Sequence, residues 1–295
     1  MEAALQIRGR NRDVGWIPAA STPCRIKVTS GAEVPAADLA LEDQVAELRR
    51  EYDDLRRVLY EAAQVQRRLC GPRYLRRESF EIASEIFPVR HVSGDFLSVF
   101  ELESDLVFAI GDIAGKGLSA AMWFTHVIGM VRMQITALGN PAAALSAINR
   151  DLMQARLELP LTSLLLGRLS VSSGDITYCN AGHPPALLLR SDGRLDQLHE
   201  GGPLLGAIAA ASFENGKTKL LPGDTLLGYS DGIAECRNPA GSDFGMERTL
   251  SAAKLCFGSS ASSMVFSVLG AAEDFAGSRP REDDMALIVV RRTDD

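Results

Sequence analysis

Two apolar-rich runs, FLSVFEL at 96–102 and LVFAI at 106–110, are separated only by Glu103-Ser104-Asp105. Parallel strands need a crossover of a dozen or more residues, so strands this close in sequence pair antiparallel around a short turn. The same grammar continues through TSLLLGRLSV, DITYCNAG, PALLLRSDGRLDQL and DTLLGYSDG, with S-G-D and S-D-G as turns, and closes with MALIVVRR at 285–292. Helical periodicity falls near 118–139, 141–157, 246–257 and 261–276. These patterns predict an α+β fold built on antiparallel sheets, not a doubly wound parallel sheet.

Extending the hairpin pairing past the strand ends sets Asp95 against Asp112. Asp231 follows the strand TLLGYS in its S-D-G turn, and Asp283-Asp284 directly precede MALIVV. A single carboxylate at a turn is ordinary, because Asp bonds its own backbone there. Two facing carboxylates repel unless a proton or a cation lies between them, and a cation is the better fit. An all-oxygen donor set with no His/Cys cluster suits magnesium or manganese, not zinc.

The 295-residue chain is 46% hydrophobic, ample for a sizeable core, and its 31 basic against 38 acidic residues give a net charge of −7. That balance offers no electrostatic footprint for nucleic acid or an anionic membrane. The five cysteines, Cys24, Cys70, Cys179, Cys236 and Cys256, form no C-x-x-C pair and read as reduced thiols. MEAALQIRGRNR at the N-terminus lacks the apolar run of a signal peptide, and the apolar run around 117–131 falls short of the roughly 20 residues of a membrane span. A cytoplasmic location is expected.

Residues 1–39 show no sustained period and are expected to form a flexible tail. Leu41, Val45, Leu48, Tyr52, Leu55, Leu59, Ala62, Gln66 and Leu69 then alternate in steps of four and three, up to Gly71-Pro72. This seam over 40–71 fits either an amphipathic helix docked on its own domain or a dimeric coiled coil, and its regularity favours the coiled coil and a homodimer. Gln66, its polar position, is a candidate for fixing register. Residues 72–295 form the main domain. Within it, GDIAGKG at 111–117 sits between a strand and a helix like a phosphate-binding loop, but Ile110 and Gly117 stand where that motif needs a glycine and a Ser or Thr.

SGDF at 93–96, GDIAGKGLSAA at 111–121, NAGHPP at 180–185, GGPLLG at 201–206, LLPGDTLLGYSDGIAE at 220–235 and DDMALIVVR at 283–291 resemble the PPM-type metal-dependent serine/threonine phosphatases. The bacterial SpoIIE/RsbU-like branch is most similar, and the motifs run in family order over roughly residues 70–293. The resemblance implies two antiparallel sheets sandwiched between helices, with a centre of two Mn2+ or Mg2+ ions at one edge. It implies that Asp95 binds one ion, that Asp112 bridges both with the Ile113 carbonyl beside it, and that Asp231 and Asp283 complete the second. Asp284 is a weaker candidate, and Ala286 stands where relatives commonly carry Thr. This branch lacks the early arginine that holds substrate phosphate elsewhere in the family, so Lys116, the amides of Gly115 and Gly117, and Arg90 become candidates for that role. His183 reads as a loop-ordering residue more than a general acid.

The implied activity is hydrolysis of phosphoserine or phosphothreonine by water activated between two metal ions. The implied substrate is a phosphorylated STAS-domain anti-sigma-factor antagonist in a partner-switching pathway. Two rival readings are a catalytically silent dimeric regulator with the same fold and a nucleotide-binding protein using GDIAGKG. The first predicts indifference to loss of Asp112, and the second predicts tight ATP binding.

Overall fold

The protein is described by a computed structural model covering residues 36–154 and 160–294. The tail expected over 1–39 lies outside these residues as far as residue 35. Helix α1 (Ala36–Cys70) begins ahead of the expected residue 40, and from Tyr52 onward it belongs to a compact unit, Tyr52–Asp295. Strands β1 (Tyr74–Arg77), β2 (Phe80–Phe87), β3 (Phe96–Leu102) and β4 (Asp105–Ile113) lead to helices α2 (Leu118–Leu138) and α3 (Pro141–Gln154). Strands β5 (Thr162–Ser170), β6 (Asp175–Ala181), β7 (Ala186–Leu189), β8 (Leu195–Leu198), β9 (Gly201–Gly202), β10 (Gly216–Lys219) and β11 (Thr225–Tyr229) follow. Helices α4 (Asp231–Ala234), α5 (Gly245–Leu255) and α6 (Ala261–Ala276) precede the last strand, β12 (Met285–Arg292).

The strands form two sheets, one ordered β1-β2-β12-β11-β7-β8 and the other β10-β6-β5-β4-β3, with β9 beside β6. Every pairing is antiparallel except β6 with β9. Alternation along each strand feeds two layers at once. On β4, Leu106, Phe108 and Ile110 pack between the sheets against Ile82, Leu188 and Ile288, whereas Val107 and Ala109 face α2 and α3. On β12, Leu287 and Val289 point to the opposite side, against α5 and α6. The result is the expected sandwich of two sheets between helices.

Local chemistry sets the helix boundaries. Gly139 takes the left-handed conformation that ends α2 (φ 64°), Asn140 Oδ1 accepts from the Ala143 amide (3.0 Å), and Pro141 opens α3. The seam of α1 is used in two ways. Leu41, Val45, Leu48, Tyr52 and Leu55 are 37–64% exposed, while Leu69 and Cys70 pack on the layer formed by α2, α3 and their sheet. Gln66 turns to the domain as well, bonding Ser93. No described helix is long and apolar enough to cross a membrane.

Candidate metal centre

The β3–β4 ladder pairs Phe96 with Gly111, in the register expected from the turn, and brings Asp95 to the end of β3 that faces Asp112. Gly111 leaves room for the Phe96 ring, which would overlap any Cβ placed there. A Cβ on Gly94 would lie 3.1 Å from the Ile113 carbonyl oxygen and 3.4 Å from Asp112 Oδ1, so the S-G-D loop lies against the G-D-I end of β4. Gly115 and Gly117, with φ of 112° and 81°, turn the chain from β4 into α2. On the other sheet, Tyr229 pairs with Leu287, so β11 delivers Asp231 and β12 delivers Asp283 at the same end. Gly232 makes that approach feasible, because a Cβ there would fall on the Asp284 carbonyl oxygen.

These acids act on one another. Asp95 is 2% exposed and its Oδ2 has no hydrogen-bond partner. Burial and then the Asp112 charge hold its carboxyl well above the usual range. Burial, followed by the charges of Asp231 and Asp283, pushes Asp112 up to about 6, and burial with Asp283 raises Asp231. Lys116 brings a positive charge to these acids: its Nζ donates to Asp283 Oδ2 (2.8 Å) and to the Glu282 carbonyl (2.7 Å). Among the described residues no three His, Cys, Asp or Glu side chains converge as a closed metal cage. An orphaned buried carboxylate oxygen beside a second destabilised carboxylate nonetheless fits a divalent cation, since a hard all-oxygen donor set short of positive charge is what Mg2+ and Mn2+ take.

Asp284 points elsewhere. Its Oδ1 accepts from the Val89 amide (2.7 Å), and its Oδ2 accepts from Ser93 Oγ (2.8 Å) and the Gly94 amide (2.9 Å). It staples the loop carrying Asp95, a role that reading the D-D pair as two ligand candidates did not supply. Asp284→Ala would orphan three donors and is expected to cost ~2–4 kcal/mol in urea unfolding. His183 is buried, with Nδ1 2.8 Å from the hydroxyl of Ser163, the residue paired with Asp112. Asn180 brackets the His183 backbone, accepting from its amide (2.7 Å) and donating to its carbonyl (2.9 Å). Burial pushes the imidazole down to about 3, so His183 is a neutral structural group at physiological pH. Arg90 lies close enough to Gly117 that a Cβ there would be 3.7 Å from its Nη1. Ala286 is fully buried; its carbonyl accepts from the Ser230 amide (3.0 Å) and its amide donates to Ser230 Oγ (2.9 Å).

A family model described as Stage II sporulation protein E (SpoIIE) matches residues 103–293. The phosphoserine phosphatase RsbU of Bacillus subtilis (strain 168) is 28% identical over 240 residues, covering 78% of this chain and 69% of RsbU. Protein IcfG of Synechocystis sp. (strain ATCC 27184 / PCC 6803 / Kazusa) is 28% identical over 205 residues, covering 59% of this chain; the chain spans only 32% of IcfG. The solved SiaA-PP2C domain of Pseudomonas aeruginosa superposes with a TM-score of 0.70 at 19% identity, over 83% of this chain and 99% of that one, a likeness of fold. Asp95 precedes the family match, and the β3–β4 ladder joins it to the matched acids. With that match spanning most of the two-sheet domain and the acidic turns meeting at its edge, the chain belongs to the SpoIIE family.

Proposed function

We propose that the protein is a metal-dependent phosphatase that hydrolyses phosphoserine or phosphothreonine on a protein substrate. The observation that carries this reading is the buried Asp95, one oxygen unpartnered, set against Asp112 where the two sheets meet. Asp95, Asp112, the Ile113 carbonyl, Asp231 and Asp283 would hold two Mn2+ or Mg2+ ions. When bound, such a pair supplies water activation and a clamp on the phosphoryl oxygens. The chain's own part is to orient carboxylates that repel one another without a cation, and to offer Gly115 and Gly117 amides at the start of α2 to an anion. Lys116 serves as counter-ion to Asp283, and reaching phosphate would require it to leave that carboxylate.

The proposed substrate is a phosphorylated STAS-domain antagonist of an anti-sigma factor, by analogy with the family and with the phosphoserine phosphatase RsbU. The exposed apolar seam from Leu41 to Leu55 supports a homodimer through α1, and a cytoplasmic site of action fits this role. The engaged Lys116 speaks against nucleotide binding by GDIAGKG. The test is release of phosphate from phosphorylated STAS proteins encoded near the gene, with Mn2+ and with EDTA. Release only with Mn2+ is expected, and equal release in both would remove the metal from the account.

A further inference from the structure

Gln66 of helix α1 is hydrogen-bonded to the loop that carries Asp95. Gln66 Nε2 donates to the Ser93 carbonyl (2.7 Å), and Gln66 Oε1 accepts from the Ser93 amide (3.1 Å). Both backbone groups of one residue are thus satisfied by one carboxamide, the pairing a neighbouring strand would offer, in a segment that belongs to no sheet. From the other side, Asp284 holds Ser93 Oγ and the Gly94 amide. Ser93 and Asp95 are each 2% exposed, and Gly94 between them abuts Ile113 and Asp112. The loop therefore has two clamps, one from the start of β12 and one from a helix outside both sheets. Gln66 sits between Ala62 and Leu69 on the seam, where docking alone would be served by an apolar residue.

We propose that Gln66 is a positioning residue for the acidic centre: by fixing both backbone groups of Ser93 it sets Asp95 toward Asp112 and raises the centre's affinity for a divalent cation. The proposal rests on the metal-centre reading above. Its physical basis is preorganisation, because a ligand held before the ion arrives loses less freedom on binding. This assigns Gln66 to its own domain and not to the register of a coiled coil.

The test uses the full chain and Gln66→Met, which keeps the length and packing of the side chain but neither donates nor accepts. Thermal melting checks that the variant is folded, calorimetric titration with MnCl2 reads affinity, and hydrogen exchange reads the Ser93 amide. Expected are a dissociation constant weaker by about tenfold, the lower end of the effect of groups that orient metal ligands, and faster exchange at Ser93. At saturating Mn2+ the turnover number should return close to the wild-type value. If Gln66→Met fails to fold, Gln66→Glu, which keeps the acceptor for the Ser93 amide and loses the donor, is read in the same way. A folded variant with wild-type Mn2+ affinity overturns the role given to Gln66 and leaves the metal centre standing. Wild-type protein that takes up no divalent cation overturns the metal-centre reading itself.

Discussion

Asp112→Asn is expected to lower Mn2+-dependent phosphatase activity at least about a thousandfold, equivalent to ~4 kcal/mol of transition-state stabilisation, while making the cation-free protein more stable at neutral pH. The two effects share a cause. Asp112 stands among Asp95, Asp231 and Asp283, and its carboxyl titrates near 6 against an ordinary 3.8. Between those values the folded chain holds a proton that the unfolded chain has released, so folding stability falls as pH rises through about 6. At pH 7.5 the charge costs about 3 kcal/mol, which an amide of the same shape removes. His183 acts with the opposite sign: buried and neutral, it loses stability as pH falls below the 6.5 at which the unfolded imidazole charges. The wild-type profile therefore mixes the two, and the difference between wild type and variant isolates Asp112. Urea unfolding in EDTA should show Asp112→Asn the more stable at pH 7.5, with the gap narrowing as pH falls below about 6 and closing only near the ordinary 3.8. A destabilised, inactive variant would mark Asp112 as a structural residue instead.

Gly232→Ala should be the most damaging single methyl in the domain's acidic edge. The new Cβ would overlap the Asp284 carbonyl oxygen and lie 3.4 Å from Asp283 Cβ. Both turns are tethered: Asp284 is pinned through its carboxylate to Val89, Ser93 and Gly94, and Ser230, on the chain entering Gly232, bonds Ala286 in both directions. Neither side can give without moving a carboxylate, so the expected loss is ~3 kcal/mol or more, at the upper end for overpacking, accompanied by loss of Mn2+ binding. Gly270→Ala, in the middle of α6 with nothing beyond its own chain neighbours and helix backbone within 4 Å of the added methyl, is the control and should stabilise by ~0.5–1 kcal/mol. Equal melting temperatures for Gly232→Ala and wild type would show that the two turns are not wedged together.

The parts of this architecture that short-range chemistry fixes were legible in the sequence. A two-residue turn, Glu103-Ser104, leaves β3 and β4 one register, and with it the placing of Asp95 and Asp112. Ser260 and Gly277 bound α6 where the periodicity places it, at Ala261–Ala276. FEIASEIF was harder, because Glu81, Ser84 and Glu85 break its alternation, although it runs buried between β1 and β12. The heptad seam named a face of α1 but not its partner, and the structure leaves Leu41 to Leu55 exposed while docking Leu69 and Cys70. Around the centre, what escaped the sequence is what acts across long separations. Asp283 and Asp284 look alike in the chain, yet adjacent residues entering a strand point to opposite sides, one to Lys116 and the other to the Ser93 loop. Lys116, placed by its loop as a phosphate candidate, meets a carboxylate contributed from the far end of the chain. The sandwich and the ion count came from family likeness, since no spacing in the chain states either.

Asp95, Asp112, Asp231 and Asp283 are expected to form a divalent-cation centre. Calorimetric titration of MnCl2 into wild type and Asp112→Asn at pH 7.5 reads this directly. Two ions bound by wild type, and binding lost or weakened at least tenfold in the variant, are the predicted result. Identical isotherms for the two proteins would contradict it.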